Sequence, residues 1–313
     1  MSDAGPDDGR QSPPSGKTDD GRQSPPSGKT DGGVAEETGL GVLGLAADSS
    51  ALGQIATIAR LEFSLAVRNR WAFALTALFA SLSVLVVALG GQGGVVRADA
   101  VVVSLVELSA LLLPLVALLF GYDAVVGSDE SGWLGVLFAL PVPRGRVVLG
   151  SYLGRLAVFS GGVVAGFGVG GLWLAGQGRL TPAYLGLVGA AVLGGAAFLA
   201  LSVLLSTLAA EKTHALGGAL LVWVWVALVH DLVSVGLIAA DVVGPDWLAV
   251  FVLANPATAF RVLALQSVPT VTGGMADVLV GSGVTTPVLV AALAAWSVGG
   301  AWLANRLVAR RSV

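Results

Sequence analysis

Apolar residues come in long unbroken blocks, with polar residues gathered between the blocks rather than alternating within them. A helix that crosses a bilayer needs about 20 apolar residues at a rise of 1.5 Å each. Six blocks have that length: Trp71–Leu89, Ala100–Gly121, Leu156–Ala175, Tyr184–Leu208, Ala215–Ala240 and Pro287–Leu303. A seventh, Leu248–Leu265, is interrupted by Asn255-Pro256 and contains Arg261, and reads as a broken helix dipping into the outer leaflet between spans five and six. Ahead of the first block, Gln54–Arg70 sets Ile55, Ile58, Leu61, Leu65 and Val67 along one stripe, with Arg60, Glu62, Arg68 and Arg70 interspersed. That pattern predicts a helix lying in the membrane interface. The fold class is therefore all-α: a polytopic membrane protein with six transmembrane helices, an N-terminal interfacial helix and a broken outer-leaflet helix.

Composition agrees with the pattern. The 313 residues are 55% hydrophobic and only 12% charged, about half the charge a soluble domain carries. Residues 1–50 hold nine acidic and four basic side chains, against eleven and thirteen in the remainder, so the net charge of −3 belongs to the N-terminal tail. The string DDGRQSPPSGKT occupies Asp7–Thr18 and again Asp19–Thr30. Such a Pro/Ser/Gly/Asp duplication buries no core and reads as a disordered acidic tail over 1–50, followed by a transmembrane domain over 51–313. Its SGKT ending lacks the glycine a phosphate-binding loop needs five residues earlier, where Gln11 and Gln23 stand. The terminus also lacks the basic start and apolar core of a signal peptide.

Charge placement orients the spans. With six spans and both termini cytoplasmic, inner segments carry Arg60, Arg68, Arg70, Arg144, Arg146, Arg155, Lys212, Arg306, Arg310 and Arg311, while outer ones carry only Arg97, Arg179 and Arg261. Ten against three follows the positive-inside rule. Trp71 and Trp302 then fall near the inner face and Trp173 and Trp247 near the outer one, whereas Trp223, Trp225 and Trp296 fall mid-span and read as packed between helices.

Between spans two and three lies SGWLGVLFALPVPRGR, Ser131–Arg146. Its apolar part is too short to cross a membrane. Ser131 suits a helix cap, Asp129 and Glu130 suit the positive N-terminal end, and Pro141 and Pro143 stop the helix. Trp133, Val136, Leu137 and Leu140 share a side at helical spacing. Such a face buries itself in the headgroup boundary or in a partner's groove, and the residues alone leave both open.

The stretch YDAVVGSDESGWLGVLFALPVPRGRVVLGSYLGR, Tyr122–Arg155, resembles the cytoplasmic signature of ABC-2-type ABC transporter permeases: a Tyr, an acidic cluster with Gly, a Leu-rich helix, Pro-x-x-Arg, then Leu-Gly. LVELSALLLPLVALLFGYDAV, Leu105–Val125, and LANPATAFRVLAL, Leu253–Leu265, are similar to the second span and the outer Leu-Asn-Pro…Arg motif of the NosY-like branch, the permeases of nitrous-oxide-reductase maturation. The resemblance covers Gln54 to the C-terminus. The chain departs from the family pattern at Ser128, Trp133 and Ser151, where an acidic residue, Thr and Lys are frequent.

The resemblance implies a plasma-membrane permease subunit of an exporter, without catalytic residues, that pairs as a homodimer with separate ABC ATPase subunits. ATP and Mg would sit on that partner and no cofactor or metal on this chain. Coupling would pass through Asp129, Glu130, Gly132, Trp133, Leu137, Pro141 and Arg144, and also through the helix Gln54–Arg70. The absence of Walker motifs agrees with an ATP site elsewhere.

Polar residues inside the spans are the remaining candidates. A charge at Glu107 costs about 2.5–3.5 kcal/mol on insertion scales, so it lines a substrate path or bonds a neighbouring helix. His230-Asp231 in span five reads as a structural pair or path lining; adjacent helical residues diverge by about 100°, and no Cys exists to complete a soft-metal site. Pro114 predicts a kink, with the freed carbonyl satisfied from a neighbouring helix. Gly162, Gly166 and Gly170 have G-x-x-x-G spacing and predict close helix packing or a flexible gate. Two rival functions remain: an ion-coupled secondary transporter using Glu107 and Asp231, and an intramembrane hydrolase, for which His230 and Gly281-Ser282-Gly283 are poor machinery. Nothing indicates nucleic-acid binding, and the substrate is not legible.

Overall fold

The computed structural model describes residues 50–68, 70–90, 98–127, 143–240, 245–268 and 283–310. Among them the secondary structure is helical throughout: α1 (Ala51–Arg68), α2 (Trp71–Gly90), α3 (Ala98–Gly121), α4 (Arg144–Gly176), α5 (Pro182–Leu208), α6 (Lys212–Val224), a π turn (Trp225–Val229), α7 (His230–Ala239), α8 (Pro245–Ala254), α9 (Pro256–Leu265) and α10 (Thr286–Arg310). Among the described residues six helices are long and apolar enough to cross a membrane: α2, α3, α4, α5, the continuous α6–π–α7 run, and α10; the bent α8–α9 pair would make a seventh if it were one span. The tail's residues 1–49 lie outside the described residues.

These six match the apolar blocks of the sequence, with two marked differences in extent: α10 continues seven residues past Leu303, to Arg310, and α4 starts early. The third block begins at Leu156, but α4 begins at Arg144 and runs for 33 residues. At 1.5 Å per residue it is about 50 Å long, against a hydrocarbon core of about 30 Å. Its first turns carry Arg144, Arg146 and Arg155, and charge there breaks the hydropathy pattern; the helix continues through them because nothing after Pro143 stops it. The end of the bundle that carries α1 and the start of α4 is termed basal, and the opposite end apical.

Span four (α5) is central, with 67% of its span window buried, and span five is peripheral, with 11% buried. Close packing around α4 comes from glycines at every fourth position. A Cβ on Gly162 would stand 2.9 Å from Leu75 Cβ, and one on Gly170 would stand 2.7 Å from Ser83 Cβ. Ser83 Oγ donates to the carbonyl of Gly166 at 3.2 Å across the same seam. The stripe continues down to Gly150 and Gly154, where a Cβ would meet Ile58 and Glu62 of α1 at 2.6 Å. One face of α4 thus receives span one at its upper part and α1 at its lower part. Phe79, Phe159 and Phe167 fill the space beside the seam with ring centroids 5.3 to 6.3 Å apart.

α1 is joined to span one by a sharp turn at Arg70, whose φ of 60° lies in the left-handed region, a conformation that costs a non-glycine residue on the order of 1–2 kcal/mol. The tryptophans divide. Trp223 Nε1 donates to Leu111 O at 3.0 Å and Trp296 Nε1 to Leu253 O at 3.1 Å, so both pack between helices. The carbonyl that Pro114 leaves without its helical donor is that of Ala110, one residue before the Leu111 O that Trp223 bonds, and α3 runs on through the proline. Trp225 does not share that fate: it is 57% exposed on the outer face of the π turn. Its ring joins Leu221, Leu228 and Leu232, all at least half exposed, in one apolar stripe.

Candidate functional site

Two clusters of charge are built into the bundle. The apical one centres on Arg261, on α9. α8 and α9 meet at 107°, and Asn255 makes the corner. Its side-chain oxygen accepts from Ala257 N at 2.9 Å and caps α9, while Pro256 follows at the first helical position. Its Nδ2 donates to Val226 O at 2.9 Å, inside the π turn. A π turn shifts the hydrogen-bond ladder by one residue and so leaves a carbonyl available to an outside donor.

Six residues further along α9, Arg261 Nη1 donates to Asp231 Oδ2 at 2.8 Å, and its Nε lies 3.2 Å from Glu107 Oε2. The second contact is an ion pair without the direction of a hydrogen bond. His230 stands beside Asp231, Nδ1 to Oδ1 at 3.8 Å, with its ring edge-on to Phe251 at 6.1 Å; both imidazole nitrogens are buried without a hydrogen-bond partner. Glu107 is nine residues from the start of α3 at Ala98, about 14 Å into the bundle. The Glu107 side chain is 44% exposed while that of Arg261 is 15% exposed, so the cluster is closed on the α9 side and open at Glu107. Removing Arg261 would leave two carboxylates within apolar segments without their cation.

The basal cluster centres on Arg155 of α4. Its Nη1 donates to Asp123 Oδ1 and to Phe120 O, each at 2.7 Å, and its Nε lies 3.6 Å from Glu62 of α1. Glu62 Oε1 accepts from Ser151 Oγ at 3.0 Å, and Gln54 Oε1 accepts from Arg146 Nη1 at 2.7 Å. Ser206 Oγ of α5 accepts from the backbone N–H groups of Val125 and Val126 at 2.9 and 3.1 Å, fixing the turn that follows α3. α1, α4 and the last turn of span two therefore form one hydrogen-bonded block around a guanidinium.

Of the residues singled out from sequence, Glu107 and Asp231 are brought together on a shared arginine, and His230 borders them. Arg144 opens α4 and, with Arg146, Leu149 and Asn305, lines a groove of about 430 Å³ at the basal end. Asp129, Glu130, Gly132, Trp133, Leu137 and Pro141 lie outside the described residues, as do Gly281 and Ser282. The sequence reading missed Arg155, Glu62, Asp123, Asn255 and the partnership of Arg261. A signal for the last was present: an arginine and two carboxylates in apolar segments must pair or face water.

Comparison with known proteins bears on this arrangement. A family model described as ABC-2 family transporter protein matches residues 56–304. A protein of Pseudomonas aeruginosa named probable ABC transporter permease protein NosY is 34% identical over 270 residues, covering 82% of this chain and 98% of that protein. A protein of the same name from Stutzerimonas stutzeri is 35% identical over 274 residues, covering 83% and 99%. An ion-coupled carrier is not favoured by these matches, and the carboxylates it would use, Glu107 and Asp231, are both engaged by Arg261. With a family match across most of the helical bundle and six helices able to span a bilayer, the chain belongs to the ABC-2 transporter family, as a membrane-spanning permease.

Proposed function

We propose that this permease is the path-forming subunit of an ATP-driven exporter of the plasma membrane, worked by a separate ABC ATPase that binds ATP and Mg. The basal end faces the cytoplasm, where ten of the thirteen basic residues after position 50 fall, and both termini lie there. The ATPase engages the element Asp129–Arg146, with Asp129, Glu130, Gly132, Trp133, Leu137, Pro141 and Arg144 at the contact.

The observation that carries the coupling is the basal block around Arg155. Asp129–Arg146 connects the turn after α3 to the start of α4, and Arg155 joins those two supports to each other and to α1. A push on the element is thereby shared among spans two and three and the interfacial helix instead of being absorbed by one flexible connection. That is the mechanical condition for rocking spans between inward and outward openings.

Two copies of the chain meet along the exposed stripe Leu221, Trp225, Leu228 and Leu232 of span five. Glu107 is held by Arg261 on one side and is 44% exposed on the other, and a path between two copies would give that exposed side a polar surrounding. Glu107, His230 and Asp231 then border the path, with the bent α8–α9 pair entering the outer leaflet beside it.

ATP hydrolysis by the permease–ATPase complex tests the coupling. Trp133→Ala, Leu137→Ala and Arg144→Gln are expected to weaken complex formation or to lower permease-dependent hydrolysis several-fold. Unchanged assembly together with unchanged hydrolysis in all three would remove the coupling role from this element.

A further inference from the structure

Arg261 holds a bent helix to two spans at once, and the rest of its surroundings reinforce that hold. α9 is fixed to span five at two points, Asn255 Nδ2 on Val226 O and Arg261 Nη1 on Asp231, and to span two through Glu107. Both attachments on span five flank or lie within the π turn Trp225–Val229. A π turn contains one residue more than the α-helical ladder accommodates, so its relaxation to α geometry would turn everything beyond it by about 100°. Asp231, two residues past the turn, would swing away from Arg261. The bond between α9 and span five therefore depends on the register of one turn of helix.

Close to the clamp along α9 and span five, buried polar groups have no hydrogen-bond partner. Thr258 stands one turn before Arg261 on α9 and is 3% exposed, with no hydrogen bond to its Oγ1. His230 has both nitrogens in the same condition. Groups that are buried and unsatisfied in one arrangement are relieved in another that admits water.

We propose that Arg261 is a positioning residue of the transport cycle: with Asp231 and Glu107 it clamps the bent α8–α9 pair over the apical part of the path, and release of the clamp opens that end. This rests on the permease reading above. Asn255 keeps α9 hinged to the π turn while the arginine lets go, so the motion is a swing about the corner. The clamp supplies a closed state that does not depend on nucleotide, and the register of the π turn supplies the means of undoing it.

The chain contains no cysteine, so Thr258→Cys gives a single reporter thiol close to the clamp. The full permease–ATPase complex in lipid nanodiscs is treated with a membrane-impermeant maleimide, without nucleotide and then with ATP and vanadate. With Arg261 present, the thiol is expected to react slowly without nucleotide and at least tenfold faster with ATP and vanadate. Arg261→Gln is expected to give the fast rate without nucleotide, and the exchanged pair Arg261→Asp with Asp231→Arg to return it to the slow rate. Slow labelling that persists in Arg261→Gln overturns the proposal, as does fast labelling that the exchanged pair fails to slow. The nucleotide-free arms need no ATP-driven step, so a failure of the ATPase to act contradicts the permease reading and leaves the test of the clamp standing.

Discussion

The side-chain amide of Asn255 donates to the carbonyl of Val226 at 2.9 Å, so the corner of the α8–α9 bend is bonded to the π turn of span five. The same side chain caps α9 through Ala257 N. Asn255→Ala removes both bonds. The cap alone is worth about 1 kcal/mol, and the lost amide leaves a carbonyl without its donor. A lower thermal midpoint in detergent is expected, and Asn255→Ser, which keeps a capping oxygen and loses the amide donor without burying a charge, is expected to fall between the variant and the native chain.

The seam between α2 and α4 makes a paired prediction. A Cβ on Gly166 would stand 2.5 Å from Phe79 Cβ and 3.0 Å from Ala80 N, whereas one on Gly168 would meet nothing within 4 Å. Gly166→Val is expected to cost about 1–3 kcal/mol or more through overpacking, and Gly168→Val to be nearly neutral. Thermal stability by size-exclusion after heating separates them; equal losses would contradict the close approach.

These glycines show what the sequence makes legible. The number of spans follows from hydropathy, since a bilayer admits little else, and Gly162, Gly166 and Gly170 announce close packing by spacing alone. Their partners are not announced: Leu75 and Phe79 are typical apolar residues of span one, and the extension of the stripe to Gly150 and Gly154 lies in a segment that Arg146 and Arg155 make polar. Arg155 was readable as a basic residue near the membrane edge. Its bond to Asp123, 32 positions away, depends on how α3 and α4 stack, which periodicity does not encode. Arg261 and Asp231 are 30 positions apart across a bend and a π turn, and neither feature has a distinctive local pattern.

Arg155 provides the third prediction. Its side chain is 15% exposed and meets Asp123, Phe120 O and Glu62. Arg155→Gln removes the charge that Asp123 and Glu62 face; with Asp123 41% exposed, the stability cost is expected to be about 1 kcal/mol. Permease-dependent ATP hydrolysis is expected to fall several-fold even where the complex still elutes intact. Arg155→Lys keeps charge but not the planar fork that serves two acceptors, and is expected to recover only part of the loss. Full coupling in Arg155→Gln would show that the basal block does not transmit movement.

Deletion of Ala227 tests the register of span five. Removing one residue lets the π turn become α-helical and rotates Asp231 by about 100° away from α9. The thiol of Thr258→Cys is expected to react slowly with the impermeant maleimide in the undeleted chain and fast after the deletion, with Arg261 and Asp231 left in place. Equal rates in both would show that the π turn does not set the contact.

The central claim is that an ATPase acts on this permease through the connection between spans two and three. A photo-reactive benzoylphenylalanine at Leu137, illuminated in membranes that also contain the ATPase subunit, tests it most directly. The account predicts a light-dependent adduct with the mass of one permease plus one ATPase subunit. Adducts with lipid alone, or reaction of position 137 with an impermeant reagent applied only from outside the cell, would contradict it.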